Sequence, residues 1–109
     1  MPREDRRIFF EYDEAYRAVY SLCGQKGVEK PPAGYLQKVE PNHDSPLELD
    51  LFIESHKTGS IENVTYTKDF VVAALIIMCR GIGIPLPKAA NKSLELDKEK
   101  VVLRTQIMR

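Results

Sequence analysis

The stretch "DFVVAALIIMCRGIGIPLPK", residues 69–88, holds ten apolar residues in a row, Phe70 to Cys79, followed by Arg80, two glycines and two prolines. A membrane-spanning helix needs about 20 largely apolar residues, so this run is too short to cross and must be buried by protein. Val71, Val72, Ile76 and Ile77 are β-branched and would suit a central strand. Ala73, Ala74, Leu75 and Met78 are good helix formers, and the flanking signals agree with them: Thr67 as N-cap, Asp69 in the first turn, Arg80 in the last, then Gly81. The spacing predicts a helix from about 68 to 80. Because it is apolar all round, it must be covered on more than one side, by the rest of the chain and, where a strip is left over, by a second copy or another protein.

A second helix is predicted in "EYDEAYRAVYSLC". Tyr12, Tyr16, Val19, Tyr20 and Cys23 line up on one face, Asp13, Glu14 and Arg17 fall elsewhere, and Gly24 supplies a left-handed C-cap. The tyrosine stripe reads as core or interface. With Phe70 and Ile77, Tyr12, Tyr16 and Tyr20 are the candidate interface residues.

Residues 25–46 hold four prolines and two glycines in "GVEKPPAGYLQKVEPNHDSP" and read as a long connection in which only "YLQKV" suggests regular structure. Within it, His43 and Asp44 form the one His/Asp pair that a small enzyme could use; the same residues also suit turn chemistry, in which Asx side chains bond nearby backbone amides. "LELDLFIES" alternates Leu47, Leu49, Leu51 and Ile53 with Glu48, Asp50, Phe52 and Glu54, which predicts a strand with one apolar and one acidic face. "HKTGS" is a hairpin loop and "IENVTYT" its antiparallel return. "SLELDKEKVVLRTQI" predicts a second hairpin about the polar turn "DKEK". The acidic carboxylates at i, i+2 spacing carry no histidine in the same alternation, so no metal site is expected.

The chain has 109 residues, 43% apolar and 29% charged, which fits one domain, residues 1–109. Its formal charge is zero, but residues 31–69 carry three basic and seven acidic groups and residues 70–109 seven and three. If the acidic strand and the basic C-terminal hairpin were neighbours in one sheet, their facing charges would stabilise the pairing. The expected fold is a single α+β domain with a mostly antiparallel three- or four-stranded sheet packed against two helices.

Cys23 and Cys79 lie far apart in apolar surroundings, with no CxxC, and are expected to be reduced and buried. The segment "MPREDRRIFF" mixes charges of both signs and lacks an apolar leader region, so a cytoplasmic location is expected. No catalytic or cofactor motif stands out: "GIG" follows a helix instead of linking a strand to a helix N-terminus, so it is not a phosphate cradle.

The leading functional expectation is therefore a non-catalytic protein–protein interaction or regulatory module, self-associating as a homodimer through the central helix and an exposed edge at the C-terminal strand. A nucleic-acid binder is the alternative, with Arg80, Lys88, Lys92, Lys98, Lys100 and Arg104 on one face and "PKAANK" as a short second helix after the glycine turn. A small His/Asp enzyme is the second alternative. No cofactor and no membrane partner are expected.

Overall fold

The computed structural model describes residues 3–88 and 90–108. It is an α+β domain of eight elements: β1 (Arg3–Glu11), α1 (Tyr12–Lys26), β2 (Gly34–Pro41), β3 (Glu48–Ser55), β4 (Ile61–Thr67), α2 (Lys68–Gly81), β5 (Asn91–Asp97) and β6 (Lys100–Met108). The strands form two antiparallel three-stranded sheets, ordered β1-β6-β5 and β2-β3-β4. The inner faces of the sheets share one core with the two helices, and the molecule measures 53 × 29 × 22 Å.

The chain is built twice from the same strand–helix–strand–strand unit. β1, α1, β2 and β3 form the first half; β4, α2, β5 and β6 the second. The helices match residue for residue at one constant spacing: Ala15 with Val71, Ala18 with Ala74, Val19 with Leu75 and Cys23 with Cys79, every one of them buried. Both helices end alike. Gly27 and Gly83 take the left-handed conformation, at φ 67° and 83°. The next residue's N–H then bonds back across the last turn, Val28 to the Cys23 carbonyl at 3.0 Å and Ile84 to the Cys79 carbonyl at 2.8 Å.

Neither half completes a sheet. Each lends its hairpin to the other: β1 pairs with β6, and β4 with β3. The registers correspond as well, Phe10 opposite Val101 and Ile8 opposite Leu103 in one sheet, Tyr66 opposite Leu49 and Val64 opposite Leu51 in the other. Period-two alternation sends Leu49, Leu51 and Ile53 of β3, and Val101, Leu103 and Thr105 of β6, to the helix side, where all are buried.

Several expectations change. α1 extends past Cys23 to Lys26, with Gly24 inside it and Gly27 as the left-handed residue. Its buried face is Ala15, Ala18, Val19, Leu22 and Cys23, because small residues allow α1 to lie close against α2; Tyr12 and Tyr16 are half-buried at its margin and Tyr20 is exposed. The connection 25–46 contains β2, and β1 was not foreseen. Leu47 lies outside β3 and is exposed. The acidic β3 and the basic β5–β6 hairpin sit in different sheets, so they do not neutralise one another. β6 is the central strand of its sheet, hydrogen-bonded on both sides, and has no open edge for a partner. "PKAANK" is not a helix: Ala90 N–H closes a single turn on the Pro87 carbonyl at 3.3 Å, Ala89 lies outside the described residues, and β5 starts at Asn91. The α2 prediction holds, with Thr67 Oγ1 accepting from Phe70 N–H at 3.1 Å.

The cap assignment is testable by substitution. Gly24→Ala, inside the helix, is expected to stabilise the fold by about 0.5–1 kcal/mol. Gly27→Ala, at positive φ, is expected to destabilise it by about 1 kcal/mol. Urea unfolding of the two variants measures both signs.

Candidate functional site

The solvent-facing side of the β1-β6-β5 sheet carries a connected set of charges. Arg104 stands on the central strand and reaches both neighbours: its Nε and Nη2 donate to Asp5 Oδ1 and Oδ2 at 3.0 and 2.6 Å, and its Nη1 to Glu95 Oε2 at 3.2 Å. Arg7, directly across from Arg104 in the register, donates to the other Glu95 oxygen at 3.0 Å. Two guanidinium groups placed side by side would repel; the two carboxylates around them reverse the sign of that interaction. Lys100 Nζ pairs with Glu11 at 2.6 Å further along the same face. Val102, beneath this layer, is 1% exposed although it points away from the main core.

The arginines hold the Asp5 and Glu95 carboxyls below the usual carboxylate range, Asp5 chiefly through its bonds to Arg104 and Glu95 chiefly through Arg7. The Glu11 carboxylate raises Lys100.

Of the six basic residues expected to share a nucleic-acid face, Lys100 and Arg104 are thus bound to carboxylates. Lys92 is half-buried, its ammonium bonded to the Pro87 and Ala90 carbonyls, both at 3.2 Å. Arg80 and Lys88 are exposed, as is Lys98, in the β5–β6 turn at φ 54°. The six do not form one uninterrupted basic surface. The C-terminal charge excess is matched mainly by acids of β1, through Asp5 and Glu11.

The tyrosines are tied down one by one. Tyr12 donates its hydroxyl to the Lys98 carbonyl at 3.1 Å and Tyr16 to the Pro32 carbonyl at 2.8 Å. Tyr20 packs on Tyr16 with ring centres 5.9 Å apart, and the Lys30 ammonium sits 5.0 Å above the Tyr20 ring. Tyr16, Tyr20, Ser21, Ala33 and His56 line a shallow hollow of about 380 Å³.

His43 and His56 are both exposed and stand on separate loops, the first between β2 and β3 and the second between β3 and β4. The turn at His43 is organised by Asn42, whose Oδ1 accepts from the N–H groups of Asp44 and Ser45. His56 lies edge-on to Tyr35 at 4.8 Å, and no carboxylate or thiol lines its hollow. Neither imidazole hydrogen-bonds a carboxylate or thiol among the described residues, although His43 is near enough to Asp50 to add to the lowering of its carboxyl. Both cysteines are free and fully buried; burial raises the Cys79 thiol, and Cys23 donates to the Tyr66 hydroxyl at 3.7 Å. A low-pKa, accessible thiolate is the opposite arrangement. Among the described residues, no three His, Cys, Asp or Glu side chains converge to hold a metal ion.

Besides a hollow of about 460 Å³ walled by Phe9, Glu11 and the β5–β6 turn, two concave features stand out, neither foreseen in the sequence. One is a groove of about 300 Å³ between α1 and α2, lined by Ala18, Leu22, Ala74, Ile77, Met78 and Ile82 among others. Its walls are made of matched positions of the two halves, so it straddles the internal twofold axis. Ile77 is 37% and Ile82 63% exposed at its rim. The other is a cleft of about 450 Å³ between the α1–β2 connection and β4. Phe70, the remaining interface candidate, is half-buried and stacks on Tyr66 at 5.3 Å instead of standing free.

Comparison of the chain with protein-family models, curated proteins and solved structures finds no match. No described helix is long and apolar enough to cross a membrane.

The ion network has a defined pH signature. A carboxyl whose folded pKa lies below its unfolded value contributes stability above the unfolded value, about pH 4, and loses it as the pH falls through the folded one. Asp5 and Glu95 therefore support the fold fully at neutral pH and cease to do so on acidification below about pH 4. Urea midpoints measured from pH 7 to pH 2 are expected to fall over that window, less steeply in Asp5→Asn and Glu95→Gln.

Proposed function

We propose that the protein is a non-catalytic, self-associating interaction module, whose contact surface is the outer face of its paired helices. The observation that carries this reading is the apolar rim of the groove between α1 and α2, where Ile77 and Ile82 face solvent beside half-buried Met78. Isolated exposed apolar residues are ordinary on a protein surface; apolar residues gathered around a concave seam are the pattern of an interface.

A second copy is the partner that fits. The groove lies on the internal twofold, so a second molecule approaching along that axis presents a matching pair of helices, and the two layers close as a four-helix arrangement. The net formal charge of zero puts no long-range repulsion between copies. Ile77 and Ile82, 37% and 63% exposed, leave about one isoleucine's worth of surface to bury on each copy, about 3–6 kcal/mol across a dimer, so the rest of the helix face must also contribute to offset the entropic cost of association. β6 is paired on both sides, so the contact surface is the helix face and not that strand.

A nucleic-acid-binding reading has less to support it, with Lys100 and Arg104 engaged by carboxylates and Lys92 by backbone carbonyls.

Sedimentation equilibrium at concentrations from about one to several hundred micromolar is expected to show a reversible monomer–dimer equilibrium. Ile77→Asp and Ile82→Asp are expected to shift it to monomer while the far-ultraviolet circular dichroism stays unchanged. A wild-type chain that remains monomeric throughout that range overturns the proposal.

A further inference from the structure

The doubled architecture contains two equivalent clefts, each between the connection that follows a helix and the first strand of the other half, and the two are finished differently. In one, Ile84 and Leu86 of the α2–β5 connection and Ile8 of β1 are half-buried against the core, Phe10 is 3% exposed, and Arg6 Nη2 reaches across to the Pro85 carbonyl at 3.0 Å. The chain closes that cleft itself. In the other, the position matching Arg6 is Glu62 and the position matching Phe10 is Tyr66. There Val28, Glu29, Pro32, Glu62, Val64 and Tyr66 surround the open cavity of about 450 Å³.

The contents of the open cleft define its chemistry. Val28, Val64 and the Tyr66 ring supply apolar wall. Neither Glu29 nor Glu62 has an ion-pair partner among the described residues. Lys30 also borders the cavity, but its ammonium lies over the Tyr20 ring, and Thr65 Oγ1 is spent on Asp50 at 2.8 Å on the opposite side of the sheet. The cleft therefore combines two available negative charges with an aromatic ring in its wall, stacked on Phe70 from one side, the pairing that recognises an organic ammonium group.

We propose that this cleft binds a small organic cation with an apolar body, its ammonium group held between Glu29 and Glu62 and its apolar part against Val28, Val64 and Tyr66. The site is separate from the helical groove and does not depend on self-association.

The probe is phenethylammonium, titrated into the ¹⁵N-labelled 109-residue chain and followed by amide chemical shifts, with 2-phenylethanol as a neutral compound of the same size. Saturable shifts centred on Val28, Glu29, Glu62, Val64 and Tyr66 are expected for the cation, with at least five-fold weaker binding of the alcohol. Glu29→Gln and Glu62→Gln are expected to weaken cation binding by about two- to five-fold each, the range for exposed charge pairs. Glu62→Arg, which copies the closed cleft, is expected to abolish it; the substituted side chain is exposed, and the remaining amide spectrum verifies the fold. The proposal is overturned by equal affinity for alcohol and cation, by shifts centred elsewhere, or by no saturable shift up to tens of millimolar phenethylammonium.

Discussion

The exchange of hairpins between the two halves is the constraint on which everything else rests. A lone β1–α1–β2–β3 unit would leave its hairpin and its first strand without their partners, each exposing a row of unsatisfied backbone groups and half an apolar face. Only when the second unit is present do β1 and β4 find β6 and β3. The β1–β6 ladder also joins the two ends of the described chain, pairing Arg3 with Met108. Such long-range pairing costs loop-closure entropy before any contact compensates it, and neither half has a complete sheet until the other is in place.

The same exchange dictates what the helices can be. Each must cover inner sheet surface and its twin at once, which accounts for a buried side built from Ala15, Ala18, Val19 and Cys23 in one, and Val71, Ala74, Leu75 and Cys79 in the other. Alanine at the crossing brings the axes together, and cysteine fills the remaining small volume as a hydrophobe. Positions off this shared face are free to differ, and they do: Ser21 corresponds to Ile77, Gln25 to Gly81, Arg6 to Glu62 and Phe10 to Tyr66. The groove and the open cleft are both made where the halves diverge, on a frame kept alike for packing.

Local pattern accounted for much of this and failed where tertiary context overrode it. β3, β4, the C-terminal hairpin and α2 follow from alternation, turn residues and capping, all of which act over a few residues. β1 was missed because "REDRRIFFE" has charges where an amphipathic strand would have apolar residues: Arg6 sits on the inner parity and is satisfied by the distant Pro85 carbonyl. The tyrosine stripe of α1 misled because large aromatic residues outweigh alanine on any hydropathy count, while close helix packing selects the small residue. The internal repeat was present in plain view at Ala18 and Ala74, Cys23 and Cys79, Gly27 and Gly83, yet the residues between them differ enough that only the shared topology makes the correspondence compelling. The cleft was illegible, since Glu29 and Glu62 are brought together by the placement of β4 beside the α1–β2 connection.

Charge distribution connects these points. The basic excess at the C-terminal end finds its acids at the N-terminal end, because β6 lies between β1 and β5 and Arg104 can grip a carboxylate on each. A one-residue slip of β6 would turn Arg104 into the core and Leu103 out to solvent, so this bidentate contact and the apolar alternation enforce the same register. Little of that basic charge reaches the acidic middle of the sequence. There Asp50 is satisfied by neutral donors, Asn42 at 2.9 Å and Thr65 at 2.8 Å, and Glu54 by Gln37 at 3.1 Å. A neutral protein thus gathers most of its cross-strand ion pairs on one sheet and, apart from Lys38 with Glu40 at 3.0 Å on β2, satisfies the carboxylates of the other with neutral donors, so its electrostatic polarity follows from which strand each hairpin was lent to.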